Sequence, residues 1–141
     1  MSASLQVVVG VLVAALGVAL VVGRILTRRQ GVLRHSDGAA VGAAIPELEL
    51  PPGKPAIVHF SAEWCGPCAG VRRVVDDVCA ELPAVAHVEI DMDTHPSAAR
   101  ALSVMSLPTT FVFDGEGRQR YRTSGVPKAV DLRSAVEPLL A

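Results

Sequence analysis

The sequence predicts an α/β domain, a mixed β-sheet flanked by helices, preceded by one transmembrane helix. Three observations predict it. Leu5 to Gly23 is a run of 19 residues without charge and with Gln6 as its single polar member, close to the ~20 residues that cross a bilayer as a helix. Beyond residue 45, apolar runs of strand period alternate with segments of helical period in the order β-α-β-α-β-β-α. Two cysteines spaced by two residues, Cys65 and Cys68, stand where the first of these strands gives way to the first helix, the placement of a redox pair.

The amino-terminal run shows no polar face, which a buried core helix of that length would show. Residues 1 to 23 contain no Lys or Arg, whereas Arg24, Arg28, Arg29 and Arg34 follow the run directly. A secretory signal carries its charge before the apolar run. The positive-inside rule therefore predicts the amino terminus outside and the chain beyond Arg24 in the cytoplasm. The opposite topology, with the domain on the extracytoplasmic side, is the alternative. Beyond residue 34, nine basic residues stand against fourteen acidic ones, a net −5. A domain of that sign has no electrostatic footprint for nucleic acid.

Residues 1–29 thus read as an anchor with a basic flank. Residues 30–45, rich in Gly and Ala and without apolar period, read as a flexible linker. Residues 46–141 read as the domain. Glu47-Leu48-Glu49-Leu50 alternates as a short edge strand would, and Pro51 to Pro55 stops it. Ala56 to Phe60 is the nearly continuous apolar run of a strand covered on both faces. Val71, Val75, Val78 and Leu82 mark the inner face of a helix that Pro83 ends.

Ala84 to Asp91 alternates as a second strand, and Ser97 to Leu102 supports a short helix. Thr109 to Phe113 is a third strand, turning through Asp114 to Gly117 into a polar edge strand, Gln119 to Thr123. Pro127 suits the first turn of a last helix that reaches Leu140, with Val130, Ala135, Val136 and Leu139 inward. Strands joined by a helix are expected to be parallel, and the last two to form an antiparallel hairpin.

The stretch Ala62-Glu63-Trp64-Cys65-Gly66-Pro67-Cys68 resembles the thioredoxin active-site signature residue for residue. Met105 to Thr110, about 40 residues on, resembles that family's cis-proline segment around Pro108. The Asp114–Gly117 hairpin and Gly125 before the final helix fall where the family has them, so the resemblance covers roughly residues 55 to 141. It implies a thioredoxin-like fold and a protein-disulfide reductase without cofactor. There are departures. The family's first strand and helix are reduced to Pro46–Pro51. Ser61 stands in place of a second tryptophan, His59 in place of the family's buried aspartate, and His87 in place of the lysine paired with it.

Thiol–disulfide exchange needs a thiolate that attacks, a thiol that resolves and a route for a proton. Cys65, at the amino end of a helix, is expected to have a lowered pKa and to be the nucleophile. Cys68, more buried, is expected to resolve the mixed disulfide. Gly66 admits a substrate backbone, and Pro67 starts the helix without wasting a donor. The resemblance implies a cis Pro108 against the disulfide, with Leu107 pairing to a substrate strand and Trp64 and Gly125 flanking the groove.

His59 has two readings, a relay for the Cys68 proton or a neutral core histidine. His87 reads as a polar strand residue or as the partner of His59, and His35 and His95 as linker and loop residues. Cys79, ~16 Å along the helix from Cys68, reads as a small core residue, with a regulatory thiol as the alternative. No metal is expected, because structural zinc needs four ligands and no second cysteine pair is present.

The expected partners are protein disulfides, an upstream reductase and, through the apolar helix, the membrane. Two other readings differ in class. One is an extracytoplasmic tethered thiol reductase of the cytochrome-maturation type; the other is a non-catalytic binding module on the same fold.

Overall fold

The computed structural model describes residues 2–141. They divide into two compact units, the first ending at Gln30 and the second spanning Gly31–Ala141. The first is one helix, α1 (Ser2–Arg28), free of proline, with a rise of about 40 Å at 1.5 Å per residue. Its side chains from Ala3 onward are exposed. The helix is long and apolar enough to cross a membrane, and a signal sequence near an amino terminus has the same properties.

The second unit is built on a five-stranded sheet: β1 (Arg34–His35), β2 (Ala56–Ser61), β3 (Ala86–Asp91), β4 (Thr109–Phe113) and β5 (Gln119–Ser124), in the order β1-β5-β4-β2-β3. β2 and β3 run parallel, joined by the helix α2 (Cys68–Glu81). The pairs β2–β4, β4–β5 and β5–β1 are antiparallel. Strand alternation sends Ile57 and Val112 to one face, where α2 and α4 (Ala129–Val136) bury Val71, Val75, Val78, Leu132 and Val136 against them. Val58, Phe60, Ile90, Phe111 and Phe113 go to the other face, beneath α3 (Pro96–Ala101) and the segment that leads into β2. Arg122 ties that layer to the sheet: its guanidinium lies over the Phe111 ring and donates to the carbonyls of Leu102 and Ser103, just past α3. The hairpin between β4 and β5 is held by Asp114, whose Oδ1 accepts from the amides of Glu116 and Arg118.

Four expectations are corrected. The linker expected over 30–45 is structured from Gly31 onward: β1 pairs with β5, and the amides of Gly31, Ser36, Gly38 and Gly42 donate to carbonyls of Ser124, Arg120, Gln119 and Gly117. Gly42 is a packing residue there, since a Cβ on it would fall 2.6 Å from Leu50 and 2.8 Å from Phe113. β5 is consequently an inner strand, with β1 as the edge and His35 in it.

The alternation at Glu47–Leu50 is a 3-10 turn, Pro46–Leu48, rather than a strand. Glu49 then adopts φ 47°, and this reversal lets both Leu48 and Leu50 reach the same core. The last helix stops at Val136 and tightens to a 3-10 turn over Glu137–Leu140, where Pro138 lacks a backbone donor. In α4, Leu132 is buried and Val130 points outward.

Candidate active site

The end of β2 delivers the chain directly into the cysteine turn. After Ser61 the Cys65 amide donates to the Ala62 carbonyl at 3.1 Å, and α2 opens at Cys68 with no side-chain cap. Cys65 and Cys68 form a disulfide with their Cα atoms 5.5 Å apart. The two are unequal in access. Cys65 is half-buried, whereas Cys68 is 2% exposed, with Sγ 4.0 Å from the Phe60 carbonyl on β2. The Cys65–Pro67 turn thus sits against the uncapped amino end of a 14-residue helix, where free N–H groups favour negative charge.

Three segments carry the other residues expected here. The Leu107–Pro108 peptide is cis, with Pro108 buried and Leu107 half-buried. The Pro108 carbonyl accepts from the Gly125 amide at 2.9 Å. Gly125 has φ +86°, a backbone that side chains rarely adopt. The following Val126 lies against Gly70 in the first turn of α2. Trp64 is 70% exposed, and its indole N–H donates to Asp93 Oδ2 at 3.0 Å.

Residues 47–138 match the family model described as Thioredoxin. The chain belongs to the thioredoxin family. A chloroplastic M-type thioredoxin of Chlamydomonas reinhardtii is 33% identical over 107 residues, covering 75% of this chain and 76% of that one. A thioredoxin of Mycolicibacterium smegmatis is 35% identical over 89 residues, 61% of this chain and 80% of the relative. Among solved structures, chloroplastic thioredoxin z superposes with a TM-score of 0.57 at 31% identity, covering 62% of this chain and 80% of that one. As a thioredoxin-family protein carrying a Cys65–Cys68 disulfide, the chain is a thiol–disulfide oxidoreductase that acts on protein disulfides.

Beneath the cysteine turn lies a cluster of polar side chains. Parallel register sets His59 beside Glu89 and Ile57 beside His87, all facing α2. His59 is fully buried. Its Nδ1 is 3.0 Å from Nε2 of His87, and Nδ1 of His87 is 2.8 Å from Asp76 Oδ1 on α2. Its Nε2 stands 3.5 Å from Glu89 Oε1 and, among the described residues, makes no hydrogen bond.

Glu89 accepts from Ser61 Oγ at 2.9 Å and from Arg72 Nε at 2.8 Å, with a second, short contact to the Arg72 terminal nitrogen. Burial is the chief cause that lowers the His59 pKa to about 4; the Glu89 carboxylate opposes it, while His87 and Arg72 reinforce it. The Arg72 hydrogen bond is the chief cause that holds Glu89 at about 2, against its own partial burial.

Of the residues expected at the site, Cys65 and Cys68 are joined directly, and Pro108 and Gly125 are joined through one hydrogen bond. His87 touches His59, which matches the second of its two readings. The sequence reading missed Arg72, Asp76 and Glu89. A signal for them existed: α2 carries Arg72 and Asp76 one turn apart, and Glu89 occupies the register position beside His59. Cys79, the free cysteine among the described residues, is half-buried against the Val71–Val78 cluster, and burial pushes its thiol pKa up.

Proposed function

We propose that this thioredoxin-family chain is a membrane-tethered protein disulfide reductase in which Cys65 attacks and Cys68 resolves. The observation that carries the assignment is the difference in access between the two sulfurs. A half-buried thiolate at a helix amino end can reach a substrate disulfide; a buried one can reach only its neighbour. Cys65 Sγ attacks one substrate sulfur, the substrate S–S bond breaks, and the other sulfur leaves with the electron pair and takes a proton. Cys68 then loses its proton and attacks Cys65 Sγ. The mixed disulfide breaks, the second substrate sulfur leaves as a thiol, and the Cys65–Cys68 pair is oxidised by two electrons.

His59 receives the Cys68 proton in this scheme, being neutral at physiological pH and placed on the residue before Phe60, whose carbonyl lies against Cys68. Leu107, Gly125 and Trp64 supply the groove for an extended substrate segment, with cis Pro108 at its base and Gly66 leaving room at the turn.

Residues 1–29 act as the anchor, and the arginines at 24, 28, 29 and 34 orient the domain to the cytoplasm. The electron donor is a thioredoxin reductase. A bifunctional thioredoxin reductase/thioredoxin of Mycobacterium leprae, 40% identical over 67 residues covering 47% of this chain and 15% of that protein, supports this choice. Insulin reduction by the full chain, driven by a thioredoxin reductase, tests the reading. Turnover that is lost in Cys68→Ser is expected; equal turnover in the two proteins overturns it.

A further inference from the structure

The polar cluster under the cysteine turn has a direction that follows from elementary hydrogen-bond chemistry. A carboxylate accepts and cannot donate, so the 2.8 Å contact of Asp76 Oδ1 requires the proton of His87 on Nδ1. In the neutral ring, His87 Nε2 is then an acceptor, and the 3.0 Å contact requires the proton of His59 on Nδ1. His59 Nε2 is left with a bare lone pair. That accounts for two observations at once: Nε2 is buried without a hydrogen bond, and it stands off Glu89 Oε1, another acceptor, at 3.5 Å. The register also gives the lone pair its aim. His87 lies level with Ile57, behind His59, whereas Glu89 lies level with His59 and is hydrogen-bonded to Ser61, ahead of it. Nε2 therefore faces Glu89, on the side of His59 away from His87.

We propose that Asp76 and His87 are positioning residues, which lock His59 as its Nδ1–H tautomer and hold the Nε2 lone pair ready for the Cys68 proton. The inference rests on the proton-acceptor reading of His59 given above. When the Cys68 S–H bond breaks and an Nε2–H bond forms, the imidazolium keeps its Nδ1–H bond to His87, and the new N–H faces Glu89 Oε1. The charges around it are then complete: Glu89 and His87 from β3, and Arg72 and Asp76 from α2, with the uncharged Thr110 level with it on β4. Arg72 keeps Glu89 ionised, so the carboxylate is available to receive the charge. When the pair is reduced again, the proton returns from Nε2 to Cys68 and the starting tautomer is restored.

The test uses the full chain in detergent micelles with ring-15N histidine, read by NMR at neutral pH, beside the rate at which a preformed Cys65–substrate mixed disulfide resolves. In the wild type, His59 Nε2 is expected to resonate as the unprotonated nitrogen. Asp76 is 60% exposed, so Asp76→Ala preserves the fold. It is expected to reduce the ratio of the two His59 tautomers and the resolution rate by about tenfold each, the value of one hydrogen bond to a charged group. Asp76→Glu is expected to restore both. A protonated Nε2 in the wild type, or an unchanged tautomer ratio in Asp76→Ala, overturns the lock. Failure of the underlying reading looks different: His59→Ala would then resolve at the wild-type rate with the wild-type pH profile, whatever the tautomer.

Discussion

His59 is the residue where burial and function oppose each other most directly. An imidazole that is fully enclosed, with its pKa lowered from 6.5 to about 4, binds a proton in the unfolded chain at a pH where the folded chain does not. Between these two values the unfolded state holds more protons, so folding stability falls as pH drops from 6.5 toward 4 and levels off below. Above 6.5 the loss is absent. The full effect is about 3 kcal/mol at ~1.4 kcal/mol per pKa unit. Urea midpoints measured from pH 7.5 to 4.5 should therefore decline in the wild type and stay nearly level in His59→Phe; parallel declines would contradict the assigned pKa. Cys79 makes the opposite case. Half-buried with its thiol pKa raised, it should leave insulin reduction unchanged when converted to Ala. A loss above about twofold would give it a role in the cycle that its surroundings do not support.

At the scale of elements, the segment between the apolar helix and β2 shows how composition can mislead. Gly and Ala are the residues of a tether, but they are also the residues of close packing, and a single sequence does not separate the two. Gly42 is the instructive position. Because an added Cβ would meet Leu50 and Phe113 at under 3 Å, Gly42→Ala should lower stability by about 1–3 kcal/mol, as overpacking of a tight site does, measured by urea unfolding. A free tether would show no change.

Leu48, fully buried beside Phe60 and Phe113, makes the companion prediction. Leu48→Ala should cost about 2–5 kcal/mol, whereas a residue on an open edge strand would cost far less. The strands β2 to β5 and α2 were legible because their patterns are uninterrupted, whereas β1, two residues long, was not. The 3-10 turn at Pro46–Leu48 was not, because a Leu at every second position satisfies both a strand and a turn that folds back. Likewise the cysteine pair, Pro108 and His59 could be read locally, whereas Glu89, Arg72 and Asp76 join the site only through strand register and a helix packed across it.

For the whole molecule, the chain divides into two units of different character. The Gly31–Ala141 unit carries the disulfide, the helix amino end and the His59–His87 pair, of which His59 is buried. The other unit is one helix, long and apolar enough to cross a membrane, a property it shares with a signal sequence. A carboxy-terminal reporter fusion is predicted to be active on the cytoplasmic side; activity on the other face alone would reverse the topology and require the electrons to come from across the membrane.

The central claim, that Cys65 attacks and Cys68 resolves, is open to one direct measurement. Insulin is mixed with the reduced full-length Cys68→Ser and Cys65→Ser variants, and covalent adducts are resolved by non-reducing electrophoresis and mass spectrometry. The account predicts that Cys68→Ser accumulates a disulfide-linked adduct through Cys65 and that Cys65→Ser forms none; an adduct through Cys68, or none with either variant, would contradict it.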